Sequence, residues 1–254
     1  MGTIITIANQ KGGVGKTTTA VNLGASLAVA EKKCLVVDCD PQGNATTGLG
    51  IDKDLLENGL YDFLLGPGPS NGNIVETKVK GLHLVGANKD LIGAEVEMAS
   101  EKKREYRLRK RLHTLKSEYD YILVDCPPSL GLLTVNALTA ADSVMVPLQC
   151  EYYALEGLGQ LLETLRAVRN GLNPTLALSG ILLTMYDARN NLSLQVEEEV
   201  RQHFKERVFH AIIPRNVRLS EAPSHGEPIL LYDIKSKGAQ SYLALARELI
   251  GRGA

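Results

Sequence analysis

The run Lys11-Gly12-Gly13-Val14-Gly15-Lys16-Thr17-Thr18 constrains this chain more than any other stretch. Two lysines flank three glycines, a composition that packing alone does not ask for. Before it stands Thr3-Ile4-Ile5-Thr6-Ile7-Ala8, apolar and β-branched, which predicts a buried strand. After it, residues 17–31 are rich in Ala, Leu and Val and predict a helix. Strand, glycine-rich loop and helix in this order make the setting of a phosphate-binding loop. The glycines let backbone N–H groups turn inward around a phosphate chain, and the helix N-terminus adds a positive dipole end. In such a loop Lys16 reaches the β- and γ-phosphates and the Thr17 hydroxyl ligates Mg²⁺.

The rest of the chain alternates strand-like and helix-like segments. Strands are predicted over 33–38, 82–86, 121–125, 143–147, 178–185 and 208–213. Helices are predicted over 52–65, 90–116 (one or two), 132–141, 151–170, 192–206 and 239–250. The helix over 52–65 is expected to end at Gly66-Pro67-Gly68-Pro69. Such alternation implies an α/β fold with a mostly parallel central sheet and helices on both faces. There is no internal repeat and no low-complexity linker, so residues 1–254 are expected to form one domain.

Composition bounds the function classes. No apolar run approaches the ~18 residues of a membrane span, and the chain enters a core strand at once, so a cytoplasmic protein is expected. The net charge of −1 offers no whole-molecule argument for nucleic acid, which leaves local patches. Cys34, Cys39, Cys126 and Cys150 stand in strand-like runs, without a C-x-x-C pair, and read as buried reduced thiols.

Two further segments carry carboxylates at predicted strand ends, where open α/β sheets place their ligands. In Val36-Val37-Asp38-Cys39-Asp40-Pro41-Gln42-Gly43-Asn44, Asp38 and Asp40 lie two residues apart. An uncompensated acid pair there makes sense beside Mg²⁺ and an attacking water; a capping aspartate before a turn is the plain alternative, above all for Asp38. Tyr121-Ile122-Leu123-Val124-Asp125 has the Walker B form, four apolar residues and then a carboxylate that contacts Mg²⁺ through water. Pro127-Pro128 follows it.

The strict phosphate-loop pattern G-x-x-x-x-G-K-[ST] has Gln10 here at its first glycine, and Lys11 opens the loop instead. This resembles the deviant Walker A box, K-G-G-x-G-K-[ST], of the ParA/MinD group of P-loop ATPases. The segment 38–44 resembles that group's D-x-D-P-Q-G-N. Ile213-Pro214-Arg215-Asn216 and the run 220–229 with Tyr232-Asp233 resemble its chromosomal ParA branch, often called Soj. The resemblance spans residues 4–242 and implies a three-layer P-loop NTPase fold and Mg²⁺-dependent ATP hydrolysis. It implies that Lys11 reaches the nucleotide of a second copy in an ATP-bound homodimer. Lys11, Gly12, Gly13, Val14, Gly15, Lys16, Thr17 and Thr18 would hold ATP, with Pro214 and Asn216 at the adenine. Asp40 would orient the hydrolytic water, and Thr17, Asp38 and Asp125 would serve Mg²⁺. By the same resemblance, Lys11, Lys16 and Asp40 are the catalytic set.

The resemblance also implies a nucleoid-associated protein. Arg189 and Arg218, in irregular segments after strands, would contact double-stranded DNA phosphates without reading sequence. A ParB-type partner would stimulate hydrolysis, with no membrane involved. A second basic group, Lys102, Lys103, Arg104, Arg107, Arg109, Lys110, Arg111 and Lys116, reads first as a solvated helix face. The alternative reading is a MinD-like membrane ATPase, which needs an amphipathic anchor that the short final helix does not resemble. An iron protein or an amidating synthetase is the more distant alternative.

Overall fold

The computed structural model describes residues 2–68, 70–152 and 154–253. Pro69, expected to help end a helix, lies outside them. Among the described residues, seven strands form one sheet: β1 (Thr3–Ile7), β2 (Cys34–Asp38), β3 (Val75–Glu76), β4 (Leu82–Val85), β5 (Tyr121–Asp125), β6 (Ser143–Gln149) and β7 (Ala177–Thr184). Their order is β3-β4-β2-β5-β1-β6-β7. All pairings are parallel except that of β3 with β4 at one edge. β2 and β5 are buried along their whole length, which is why they read as unbroken apolar runs.

Helices cover both faces: α1 (Lys16–Val29), α2 (Asn44–Gly48), α3 (Leu60–Leu65), α4 (Leu91–Met98), α5 (Arg107–Leu115), α6 (Leu132–Ala140), α7 (Ala154–Gly171), α8 (Asn191–Phe204), α9 (Val217–Glu221), α10 (Ile229–Tyr232) and α11 (Lys237–Gly251). The strands alternate between two cores with period two. Ile5, Ile7, Val36 and Leu123 pack with Leu23 and Leu27 of α1 and Leu245 and Leu249 of α11. Ile4, Leu35, Val37, Ile122 and Val124 pack on the other face with Leu108, Leu112, Leu133 and Leu158. The three-layer α/β architecture expected from the alternation is the one present. All four cysteines are free and buried, and no helix among the described residues is long and apolar enough to cross a membrane.

Two expected elements are corrected. The helix over 52–65 is helical only at α3, because the Leu60 N–H donates to the Gly86 carbonyl at 2.7 Å. That bond docks the chain where the longer helix would have run, and residues 52–55 instead turn on the Asp52 carbonyl and carboxylate. The strand over 208–213 is not a strand. Its N–H groups at His210 and Ala211 donate to the Glu248 carboxylate of α11, both at 2.9 Å. The segment still runs beside β7: the Phe209 N–H donates to the Ile181 carbonyl and the Ile213 N–H to the Leu183 carbonyl, both at 2.9 Å, with isolated bridges from Ile181 to Val208 and from Tyr186 to Pro214 in place of a continuous ladder. The Phe209 ring lies over Gly180, where a Cβ would meet it at 2.6 Å.

Candidate nucleotide site

The phosphate loop hangs from the end of β1, at the centre of the sheet. Asn9 anchors it: the side-chain amide donates to the carbonyl of Pro147 in β6, the strand beside β1, at 2.7 Å, and the side-chain oxygen accepts from the Lys11 N–H at 3.0 Å. On the far side the Thr184 hydroxyl, at the end of β7, donates to the Val14 carbonyl at 2.9 Å. Gly13 and Gly15 hold φ of 76° and 89°, left-handed backbone that a side chain would strain. The loop therefore curls around empty space rather than continuing β1, and α1 starts directly behind it.

That space is a cavity of about 520 Å³ lined by Gly12, Gly13, Gly15, Lys16, Thr17, Thr18, Asp40, Gln42, Asn44, Pro128 and Met185. A second cavity of about 460 Å³ shares Gly15, Thr18 and Met185 with it and continues along Pro214, Asn216, Val217, Leu219 and Tyr242. The first is walled by glycine backbone, lysine and threonine hydroxyls, the second by apolar side chains with the Asn216 amide at its rim. A polar trough opening into an apolar slot matches a molecule with a phosphate chain at one end and a heterocycle at the other. Asn216 is itself fixed, since its side-chain oxygen caps α9 by accepting from the Arg218 N–H at 2.9 Å.

Lys16 is 6% exposed, and its ammonium donates to the Lys11 carbonyl at 3.0 Å. Burial lowers its pKa, while Asp125, Cys126 and Asp40 pull it back. The three aspartates differ sharply. Asp125 is fully buried, and neither carboxylate oxygen has an aligned donor among the described residues. Burial, and then the charge of Asp38, push its pKa well up; the nearby Thr17 hydroxyl and the Lys16 ammonium only temper this. Two orphaned carboxylate oxygens beside the loop threonine fit a hydrated divalent cation. No cluster of three or more acidic, histidine or cysteine side chains among the described residues could hold a metal alone.

Asp38 pairs in register with Asp125 but is already occupied. One oxygen accepts from the Thr46 N–H at 2.9 Å and the Thr46 hydroxyl at 2.8 Å, the other from the Asp40 N–H at 3.1 Å. Its pKa is raised to about 6 by burial, against these bonds. These contacts explain α2, which the sequence reading missed: Asp38 ties down its first turn from the preceding strand. The capping alternative therefore describes what Asp38 does in this structure. Asp40 faces the phosphate cavity, with one oxygen accepting from the Gln42 N–H at 2.9 Å.

Lys11 is not brought to its own cavity. Its ammonium pairs with the Glu151 carboxylate, and its side chain is 46% exposed. Arg189 and Arg218 sit on the exposed loops expected, each held by acids. Arg189 makes two bonds to Asp187, both 2.9 Å; Arg218 meets Glu221 at 2.9 Å and Asp233 at 3.7 Å. Met185, Thr184 and Tyr242 were missed as site residues. Met185 and Thr184 follow the rule that ligands lie at strand C-termini, which could have singled them out. Tyr242 comes from α11 and hydrogen-bonds Thr19 of α1 at 3.2 Å, a contact with no local signal.

A family model described as an AAA domain matches residues 2–178. The chain is 61% identical to the chromosome partitioning protein ParA of Myxococcus xanthus, over 99% of this chain and 89% of that one. It is 58% identical to the sporulation initiation inhibitor protein Soj of Bacillus subtilis, over the full length of both. Among solved structures, cobyrinic acid a,c-diamide synthase from Mycobacterium smegmatis with bound ATP analog and magnesium superposes with a TM-score of 0.87 at 40% identity, covering 100% of this chain and 96% of that one. The deviant phosphate loop, the acidic strand ends and the full-length identities agree, and the chain belongs to the AAA-domain family and, within it, to the ParA/Soj chromosome-partitioning ATPases.

Proposed function

We propose that this ATPase is an ATP-gated, DNA-binding dimer that moves DNA cargo in the cytoplasm, on the nucleoid. The observation that carries the reading is the pair of joined cavities, polar around Lys16 and apolar around Pro214 and Asn216, with the orphaned Asp125 carboxylate beside the first. The backbone N–H groups of residues 11–18 and the Lys16 ammonium bind the phosphate chain, and Pro214 and Asn216 seat the adenine. Thr17 and Asp125 would hold Mg²⁺, which would supply positive charge against the phosphate chain. Asp38 supports that shell by fixing α2 and the Asp40 backbone. Asp40 orients the water that attacks the γ-phosphorus.

Lys11 lies outside its own cavity on an exposed, breakable ion pair, which leaves it free to reach a second copy's nucleotide in the dimer. Dimerisation doubles the phosphate contacts made by Arg189 and Arg218, so DNA binding follows ATP. A ParB-type partner then completes the site and speeds hydrolysis. No membrane takes part, and the whole chain works as one domain.

The test is binding to a random-sequence DNA duplex with ATP, with ADP and without nucleotide, in wild type and Asp40→Ala. Tight binding that needs ATP and lasts longer in Asp40→Ala is expected. Equal binding under all three conditions would refute the ATP gate. Binding to vesicles in place of DNA would favour the membrane reading. The name of the 40%-identical structure points to amidation; glutamine-dependent ATP turnover would favour that reading over partitioning.

A further inference from the structure

The loop that leaves β5 is lightly held. It runs from Asp125 to α6 through residues 126–131, and Pro128, Ser129 and Leu130 are exposed. At its start the Cys126 N–H donates to the Ile7 carbonyl at 3.2 Å. From Pro127 to Leu130 the only hydrogen bond among the described residues is the one that the Ser129 carbonyl accepts from the Thr134 hydroxyl, at 2.6 Å. Thr134 belongs to the first turn of α6, so the far half of the loop goes where that turn goes.

That turn is fixed from another helix. Gly131, at the N-cap of α6, has no side chain to cap with, and the first N–H groups of a helix need acceptors. Glu95 of α4 supplies one: its Oε1 accepts from the Leu133 N–H at 3.2 Å. A carboxylate there also meets the positive end of the helix dipole. The approach depends on the glycine, because a Cβ at Gly131 would stand 2.7 Å from the same Oε1. Leu91, Ala94 and Met98 bury one face of α4 in the core that also holds Leu133. Glu95 therefore reaches α6 from a helix that is itself anchored. The second carboxylate of α4, Glu97, is used elsewhere and accepts from the Tyr61 hydroxyl at 2.7 Å. In the middle of the loop, Pro128 lines the phosphate cavity and faces Gly12, where a Cβ would meet that of the proline at 4.0 Å. A chain of contacts thus runs from Glu95, through the first turn of α6 and Ser129, to the cavity wall opposite the phosphate loop.

We propose that Glu95 is a positioning residue of the ATPase site, which sets the loop between Asp125 and α6 and so governs the rate of hydrolysis rather than the grip on nucleotide. The grip comes from residues 11–18 and from the apolar cavity, and no residue of the loop lines the latter. Hydrolysis asks for more, because Asp125, Asp40 and the Pro128 wall must keep a fixed arrangement around the phosphate chain, and small misplacements slow a reaction steeply. Of these parts the loop is the one with fewest bonds of its own, so it depends most on what holds its far end. The proposal rests on the reading of this cavity as the phosphate site. It adds a side chain that lines neither cavity and acts through the backbone of another helix.

The experiment measures steady-state ATP turnover of the full chain with Mg²⁺, binding of a fluorescent ATP analogue to the same samples, and their thermal midpoints. It compares wild type with Glu95→Ala, Glu95→Gln, Gly131→Ala and Glu97→Ala. Glu95→Ala should lower kcat about tenfold, the scale of one charge-assisted hydrogen bond, and leave KM and analogue affinity within about twofold of wild type. Gly131→Ala keeps the carboxylate but displaces it, and should lower kcat by a similar factor. Glu95→Gln keeps an oxygen that accepts from the Leu133 N–H, and should recover kcat to within about threefold of wild type. Glu97→Ala should turn over like wild type. Unchanged kcat in Glu95→Ala overturns the proposal. A loss of analogue affinity that matches the loss of turnover overturns it in favour of a role in binding. Equal losses in Glu95→Ala, Glu95→Gln and Glu97→Ala, in step with falling thermal midpoints, overturn it in favour of a general role in folding. Asp125→Asn, run alongside, tests the reading beneath: full turnover in that variant removes Asp125 from the site whatever Glu95 does.

Discussion

Asp125 is a carboxylate kept in poor surroundings. Both oxygens are buried without an aligned donor, beside a second buried acid. Such a group lowers the stability of the empty protein and is retained for the ligand it awaits. Asp125→Asn is therefore expected to raise the thermal midpoint of the nucleotide-free protein, by on the order of 1–3 kcal/mol of stability. The same variant should lose the extra stabilisation that Mg²⁺ with ADP gives the wild type, as calorimetry with and without both would read. Asp38→Ala should behave oppositely. It strands the Thr46 N–H and hydroxyl and the Asp40 N–H, and should cost about 2–4 kcal/mol in denaturant unfolding even without nucleotide. On the proposed DNA surface, Asp187 occupies the Arg189 fork that a phosphate would take, and it is held down to about 2 by that arginine's hydrogen bonds. Asp187→Asn should tighten duplex binding about two- to fivefold in an anisotropy titration, the scale of an exposed ion pair. These distinctions among aspartates were only half legible from sequence. The spacing of Asp38 and Asp40 marked a site, but which acid is free and which is spoken for depends on Thr46, eight residues on.

At the scale of elements, legibility followed locality. The phosphate loop, β2 and β5 are specified by residues next to one another, and each appears where its pattern places it. Residues 208–213 carry an equally apolar pattern but form no continuous strand, because Glu248, about forty residues later, takes the N–H groups of His210 and Ala211 at their middle. The same distance hid Tyr242 from the site. Glu248 therefore stabilises a segment that ends at the apolar cavity. Burial raises its pKa, but the bonds from Ala211, His210 and Arg252 outweigh this and leave it below the usual value. A carboxyl depressed in the folded state contributes its full stability above its unfolded pKa and loses it as pH falls through the folded value. Glu248→Gln should thus cost about 1–3 kcal/mol at neutral pH, with the gap to wild type narrowing below about pH 4 in unfolding measured across pH.

Across the whole molecule, the strand C-termini gather the joined cavities and Lys11 at one end of the sheet. Lys11→Ala should leave ATP binding by the single chain nearly intact while light scattering shows no ATP-driven dimer; a dimer that still forms would remove Lys11 from that role. The cavities also draw on distant parts of the chain. Their phosphate end is built from residues 11–18, but their apolar end needs residues 213–223 and Tyr242, whose hydroxyl is joined to Thr19. On the ribosome, then, a nascent chain completes the two ends of the site at different times: residues 11–18 emerge early, while the apolar cavity waits for Tyr242 of α11.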